Sequence, residues 1–232
     1  MKAGIEIGTS HDFKLETALL LYRDQGKTFV THHQVVHGPT LSLGPAKMLS
    51  ISFLKNLLRS FRMNTTLEVL PENVIAHGDD TVAWWTPAQP RQMFFDDPTE
   101  KMTAVSGRIF PHPALVFVAK DSSIWVRALA ESKRPGASTI LYAAPYWNMA
   151  EDGAVCLGNM RTPDTNGVNA IAPWERGFFE SAFSHAGGTV RITTYKSGFE
   201  GLWKALADAT GPFPIEHLVS TKETLASYLS KR

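Results

Sequence analysis

From Leu67 to Tyr146 proline, glycine and aspartate interrupt the chain every few residues, and the stretches between them are short and β-rich: LEVL, NVIAH, TVAWW, QMFF, SGRIF, ALVFVAK, SIWVRAL and TILYAAPYW. Valine, isoleucine, threonine and aromatic side chains suit the pleated surface of a sheet, and breaks this frequent leave no room for a helix of ordinary length. Strands joined by such short connections pair antiparallel. The segment therefore predicts an antiparallel meander on which the rest of the fold must pack.

The flanks supply helices. Gly44-Pro45 opens a stretch to about Met63 in which Met48, Ile51, Leu54, Leu58 and Phe61 recur at three- and four-residue spacing, predicting an amphipathic helix over 45–63. Its polar side is basic through Lys47, Lys55, Arg59 and Arg62. Beyond Cys156 a loop rich in Asn, Asp and Pro runs to about Ala170, and a second helix follows with Pro173 near its first turn. Its apolar stripe is Trp174, Phe178, Ala182 and Phe183, and Gly187-Gly188 should end it. One more strand is expected at 189–195, then short helices near 198–209 and 220–230. Ahead of all this, residues 3–8, 15–22 and 28–36 read as strands, with a turn at Asp24-Gln25-Gly26. The expectation is an α+β fold: an N-terminal β extension over 1–44, then one domain over 45–232 in which helices flank the meander.

With 44% hydrophobic residues in 232, the chain can bury a substantial core. Lys plus Arg number 23 against 22 Asp plus Glu, so a net charge of +1 offers no field to attract a polyanion, and no nucleic-acid partner is expected. No apolar run resembles a signal peptide or a membrane span, so a soluble, cytoplasmic protein is expected. His32, His33 and His37 lie close together, but adjacent strand residues point to opposite faces, which is poor metal geometry. Neither a metal nor a cofactor is expected. Trp84 and Trp85 should likewise face opposite sides of their strand, so at most one belongs to the core.

A chain with one cysteine forms no internal disulfide, and Cys156 is that cysteine. Asn148 stands eight residues before it, Gly153 three before it and Leu157 directly after it. These residues carry a resemblance to the ubiquitin-conjugating enzymes, whose His-Pro-Asn tripeptide, glycine and leucine sit at the same offsets from the active cysteine. At residue frequencies of roughly 5–10% each, the three matches coincide by chance about once in a few thousand trials. Two departures accompany them. Tyr146 and Trp147 stand where the tripeptide has His and Pro, and Gly158 stands where many members carry Asp.

The stretches TVAWWTPAQPRQMFF, GRIFPHPALVFV and PYWNMAEDGAVCLGNM extend the likeness to the prokaryotic branch of that superfamily, resembling the protein B family of the ParB-related, ThiF-related cassette. The resemblance implies a thioester-forming carrier with Cys156 as nucleophile and Asn148 stabilising the oxyanion of the attacked carbonyl. Tyr146, Trp147, Gly153 and Leu157 would shape the loop. It further implies a ThiF-like activating enzyme, docked through Lys55, Arg59 and Arg62 of the basic helix, a small ubiquitin-like modifier, and a metal-dependent deubiquitinase-like peptidase. Two other functions stay open on the residues alone: a non-catalytic binding module of the same fold, and a cysteine hydrolase with His112 or His185 as base.

Overall fold

A computed structural model describes residues 14–60, 69–78, 80–158, 160–165, 167–187 and 191–232, the last three positions of the first range as helix backbone only. The chain divides into two compact units, Met1–Glu68 and Val69–Arg232.

In the first unit β1 (Thr17–Asp24) and β2 (Lys27–Val36) form an antiparallel hairpin. Gln25 and Gly26 both take positive φ (40° and 84°), the geometry of a two-residue hairpin turn whose twist matches that of its strands. Short β3 (Ser42–Leu43) and β4 (Lys47–Met48) pair with β2. Helix α1 runs Ile51–Ser60, shorter than the periodicity predicts. Lys47 and Met48, expected inside the helix, are strand residues instead, because Ser50 caps the helix after them: its Oγ accepts the Phe53 N–H at 3.1 Å. Residues 3–8 and the predicted helix end at 61–63 lie outside the described residues, as do Leu67 and Glu68.

The second unit contains β5 (Val74–His77), β6 (Thr81–Thr86), β7 (Gln89–Gln92), β8 (Phe94–Phe95), β9 (Ile109–His112), β10 (Ala114–Lys120), β11 (Ser123–Leu129) and β12 (Ile140–Ala143). After Cys156 come α2 (Ile171–Glu180), β13 (Ala182–Phe183), α3 (Gly198–Leu206), β14 (Ser220–Thr224) and α4 (Leu225–Leu229). The fold is a mixture of antiparallel sheet and a few helices. Its main sheet has the order β14-β12-β11-β10-β6-β5, antiparallel throughout.

Two of the predicted meander strands leave that sheet. β7 and β9 pair only with each other, with Pro90 opposite Pro111, and residues that cannot donate to a ladder are excluded from a sheet interior. β8 pairs in parallel with β13. The second helix stops at Glu180 instead of Gly187-Gly188. Residues 191–195 are not a strand, and Ser220–Thr224, predicted helical, supplies the sheet's edge strand. Val69 and Leu70 also lie outside any strand.

The alternation of β6, β10 and β11 explains the core. Val82, Trp84, Leu115, Phe117, Ile124 and Val126 face one side, covered by Trp174 and Phe178 of α2 and by Leu202 and Trp203 of α3. Ala83, Val116, Val118 and Leu129 face the other, covered by Leu225 and Tyr228 of α4. Trp84 is fully buried and stacks on Phe117, while Trp85 is half-buried against the second face. Fully burying one such large apolar side chain contributes about 1.5–3 kcal/mol, so the thicker aromatic face dominates stability.

Candidate functional site

The segment between Asn148 and Cys156 folds back on itself. The Gly153 N–H donates to Ala150 O at 3.0 Å, the Ala150 N–H to Ala154 O at 2.8 Å, and the Cys156 N–H to Asn148 O at 2.7 Å, while Met149 bridges Val155. This is a hairpin with a three-residue tip closed by a glycine in the left-handed region, Gly153 at φ +89°. Asp152 reinforces the tip, its Oδ1 accepting the Ala154 N–H at 3.0 Å. A Cβ on residue 153 would stand 2.7 Å from Val126 O and 2.8 Å from the Tyr228 hydroxyl, so the position requires glycine on two counts.

The hairpin is fastened to the sheet. Val126 N–H donates to Gly153 O (2.8 Å) and Val155 N–H to Ile124 O (2.9 Å), extending the ladder along the part of β11 that β12, paired at Arg127 and Ala128, leaves uncovered. Arg127, only 4% exposed, donates to Glu151 O at 3.0 Å and to the Glu223 carboxylate at 3.3 Å. Arg232 donates to Asp152 O at 2.9 Å, with its guanidinium over the rings of Trp125 (4.9 Å) and Tyr228 (4.6 Å). Lys231, hydrogen-bonded to Glu223, holds that carboxyl below the usual range; burial opposes the shift and the Arg127 charge assists it.

Asn148 holds the other side. Its φ is +58°, a conformation asparagine tolerates better than most residues, and the residue is buried. Its Nδ2 donates to Ala182 O at 3.0 Å, and its Oδ1 accepts from Ser184 N (3.0 Å), Ser184 Oγ (3.2 Å) and His185 N (3.2 Å). Its own N–H donates to His185 O at 2.8 Å. One side chain thus ties Ala182, Ser184 and His185 to the hairpin, just beyond the end of α2 at Glu180.

Tyr146 and Trp147 anchor the hairpin's base in the core. Tyr146 is fully buried, stacked on Phe183, with its hydroxyl 2.8 Å from His112 Nδ1. Trp147 stacks on Phe199 at 4.5 Å, and Leu157 packs partly buried against the same cluster. Burial first, and the Arg91 charge second, push the His112 imidazole down to about 3, while burial pushes the Tyr146 phenol up. His112 at 2% exposure is a neutral core residue. His185 is exposed and its Nδ1 lies 2.9 Å from Ser184 Oγ.

Cys156 itself is exposed. The structure therefore brings Cys156, Asn148, Gly153, Tyr146, Trp147 and Leu157 into one loop system. Lys55 is exposed on α1, whereas Arg62 and the side chain of Arg59 fall outside the described residues. His33 is bonded to Thr31 and Gly44, His37 to Leu15 O, and His32 stacks on Phe53. Among the described residues no three His, Cys, Asp or Glu side chains are grouped to hold a metal ion, and no helix is long and apolar enough to cross a membrane. The buttress of Arg127, Glu223, Tyr228 and Arg232 was missed by the sequence reading. Its one signal is an arginine interrupting the otherwise apolar run of SIWVRAL.

Residues 51–221 match the protein family described as Prokaryotic E2 family D. Neither a curated protein nor a solved structure matches the chain.

Proposed function

The chain belongs to prokaryotic E2 family D, and from that premise we propose that it is a ubiquitin-conjugating-like carrier that holds a ubiquitin-like modifier as a thioester on Cys156. The observation that carries the reading is that the chain's single thiol is solvent-exposed at the end of a hairpin held from both sides. Thioester chemistry suits a thiol because it is both a good nucleophile and a good leaving group. The Cys156 thiolate attacks the modifier's C-terminal carbonyl on a ThiF-like activating enzyme; the new C–S bond forms as the old one breaks and the donor thiolate departs. An acceptor amine then attacks the same carbonyl, a C–N bond replaces the C–S bond, the amine loses a proton and Cys156 leaves as thiolate.

Asn148 has two assignments in this scheme. It positions the loop beside the thiol through the bonds to Ala182, Ser184 and His185. Its second Nδ2 hydrogen is the donor assigned to the developing oxyanion. The exposed Lys55 belongs to the surface assigned to the activating enzyme, with Arg59 and Arg62. The cassette resemblance adds a deubiquitinase-like peptidase as a third partner. A hydrolase based on His112 is disfavoured, because a buried neutral imidazole bonded to Tyr146 is not available to an exposed thiol.

The test is incubation with activating enzyme, modifier and ATP, followed by non-reducing electrophoresis. The expected product is an adduct cleaved by thiol reductants, replaced in Cys156→Ser by one that survives them and absent in Cys156→Ala. Demonstrable activation of the modifier without any adduct on Cys156 would overturn the carrier reading and favour the non-catalytic module.

A further inference from the structure

The four-stranded sheet of the first unit ends on β1, which among the described residues pairs with β2 alone. Natural sheets blunt their edges with bulges, prolines and charged side chains, because a row of unpaired N–H and C=O groups recruits another strand. The main sheet of the second unit does so at both ends. β5 shifts register between Val74 and Ala76, while β14 carries Lys222 and Glu223 and meets β12 across another shift. β1 has no such device along its centre: it pairs with β2 without a shift, from Thr17 opposite Gln34 to Asp24 opposite Lys27, and its middle reads Ala-Leu-Leu-Leu-Tyr. Leu19, Leu21 and Tyr22 are 45%, 59% and 48% exposed.

The hydrogen bonding of the hairpin fixes which groups face outward. Glu16 O accepts the Val35 N–H at 2.9 Å, and bonded pairs alternate along an antiparallel ladder, so the even-numbered residues of β1 bond β2. Thr17, Leu19, Leu21 and Arg23 therefore turn their N–H and C=O groups to the free edge. A two-fold axis normal to the sheet brings β1 antiparallel to β1 of a second copy and keeps each face continuous, so only residues of equal parity stand opposite one another. The registers that centre on the apolar run differ in their charges. Centring on Leu20 sets Asp24 against Glu16 of the second copy, and like charges directly opposite repel. Centring on Leu21 sets Leu19 against Arg23 of the second copy and Ala18 against Asp24 of the second copy. Centring on Leu19 sets Asp24 of each chain against Lys14 of the other, with Leu21 on the same face as both central leucines.

We propose that the protein associates with a second copy of itself through β1, antiparallel and centred on Leu19, so that the two four-stranded sheets become continuous. Backbone groups that face outward on one copy meet those of the other, the exposed leucines cover one another, and the Asp24 and Lys14 charges select the register. Because both copies use the same edge, the assembly closes at two chains. The association makes no demand on Cys156 and stands apart from the carrier reading.

Sedimentation equilibrium on the full chain should show a mass that rises with concentration to twice that of one chain. Leu21→Lys, at an exposed position, should raise the dissociation constant about tenfold or more by placing a cation beside the central leucines. Leu19→Pro should leave the chain monomeric with the parent's far-ultraviolet circular dichroism, because the N–H it removes faces the free edge. In a Cys156→Ser background, oxidation should link Leu19→Cys into a covalent dimer, its opposed Cα atoms about 5.5 Å apart, and link Leu20→Cys poorly, at about 8 Å. A single monomeric species up to about 100 µM would overturn the proposal, as would a dimer that neither Leu21→Lys nor Leu19→Pro weakens. Higher cross-linking yield at Leu20→Cys would overturn the register. Monomers whose Leu19 and Leu21 amides resist hydrogen exchange would give the edge to another segment of the same chain, and that too would overturn it.

Discussion

The backbone amide of Cys156 donates to the carbonyl oxygen of Asn148 across 2.7 Å, so the eight-residue offset between them in the sequence is the register of a hairpin. A spacing shared with conjugating enzymes therefore has a local physical cause. Changing the loop by one residue would move the thiol out of register with the asparagine that organises its surroundings.

Asn148→Ala should separate loading from transfer. The substitution removes the bonds to Ala182, Ser184 and His185 and places alanine at a positive φ. A stability loss of about 2–3 kcal/mol is expected, measured by chemical denaturation. Modifier loading at saturating concentration should persist, while discharge to free lysine should slow by about a hundredfold, the loss typical of one oxyanion donor. Discharge at the parent rate would leave Asn148 a purely structural role.

Gly153→Ala tests the hairpin tip. The added methyl is forced towards Val126 O and the Tyr228 hydroxyl in a backbone conformation that alone costs roughly 1–2 kcal/mol. The tip should lift off β11, seen as faster hydrogen exchange of the Val126 amide, which donates to Gly153 O. Unchanged exchange there would mean that the tip tolerates the methyl by another route.

Acid sensitivity should trace to His112. Burial holds this histidine neutral in the folded state down to about pH 3, whereas in the unfolded chain it takes up a proton near 6.5. The unfolded state binds more protons between those values, so its contribution to stability is flat above about pH 6.5 and falls by roughly 1.4 kcal/mol per unit on acidification towards pH 3. His112→Phe should flatten that slope by about one proton, as read from urea denaturation at pH 7.5, 6 and 5. Because Tyr146 also loses a partner in this variant, the comparison rests on slopes and not on absolute stabilities.

Local patterns in the sequence foretold antiparallel sheet, and the alternation within β6, β10 and β11 follows from them because each strand's period is set by its own residues. What was not legible depends on distant partners. Ala182–His185, expected in the helix, instead bonds to Asn148, 34 to 37 residues away, and pairs through Ala182 and Phe183 with Phe94 and Phe95. Ser220–Thr224 joins the sheet because Ile140 and Tyr142 offer it an edge. The start of α1 is legible in Ser50, a residue type that caps helices, although the apolar periodicity continues back to Met48.

The buttress beneath the hairpin should respond asymmetrically to removal of its two charges. Arg127 is 4% exposed, and among the described residues Glu223 is the one carboxylate its charge meets, beside the Glu151 carbonyl and the face of Tyr228 at 5.1 Å. Glu223 is 21% exposed and also bonded to Lys231, so it keeps a counter-charge when Arg127 is replaced. Arg127→Met should therefore cost about 1–2 kcal/mol, because the freed carboxylate retains both a cation and water. Glu223→Leu should cost more, about 3 kcal/mol or above, because it strands a guanidinium in a nearly dry site. The two losses, measured by denaturation at pH 7.5, should converge when both substitutions are combined, since the double variant carries no unpaired buried charge. Equal single losses that simply add would show that Arg127 and Glu223 do not act as a pair, and the hairpin would then owe its position to Asp152, Arg232 and the β11 ladder alone.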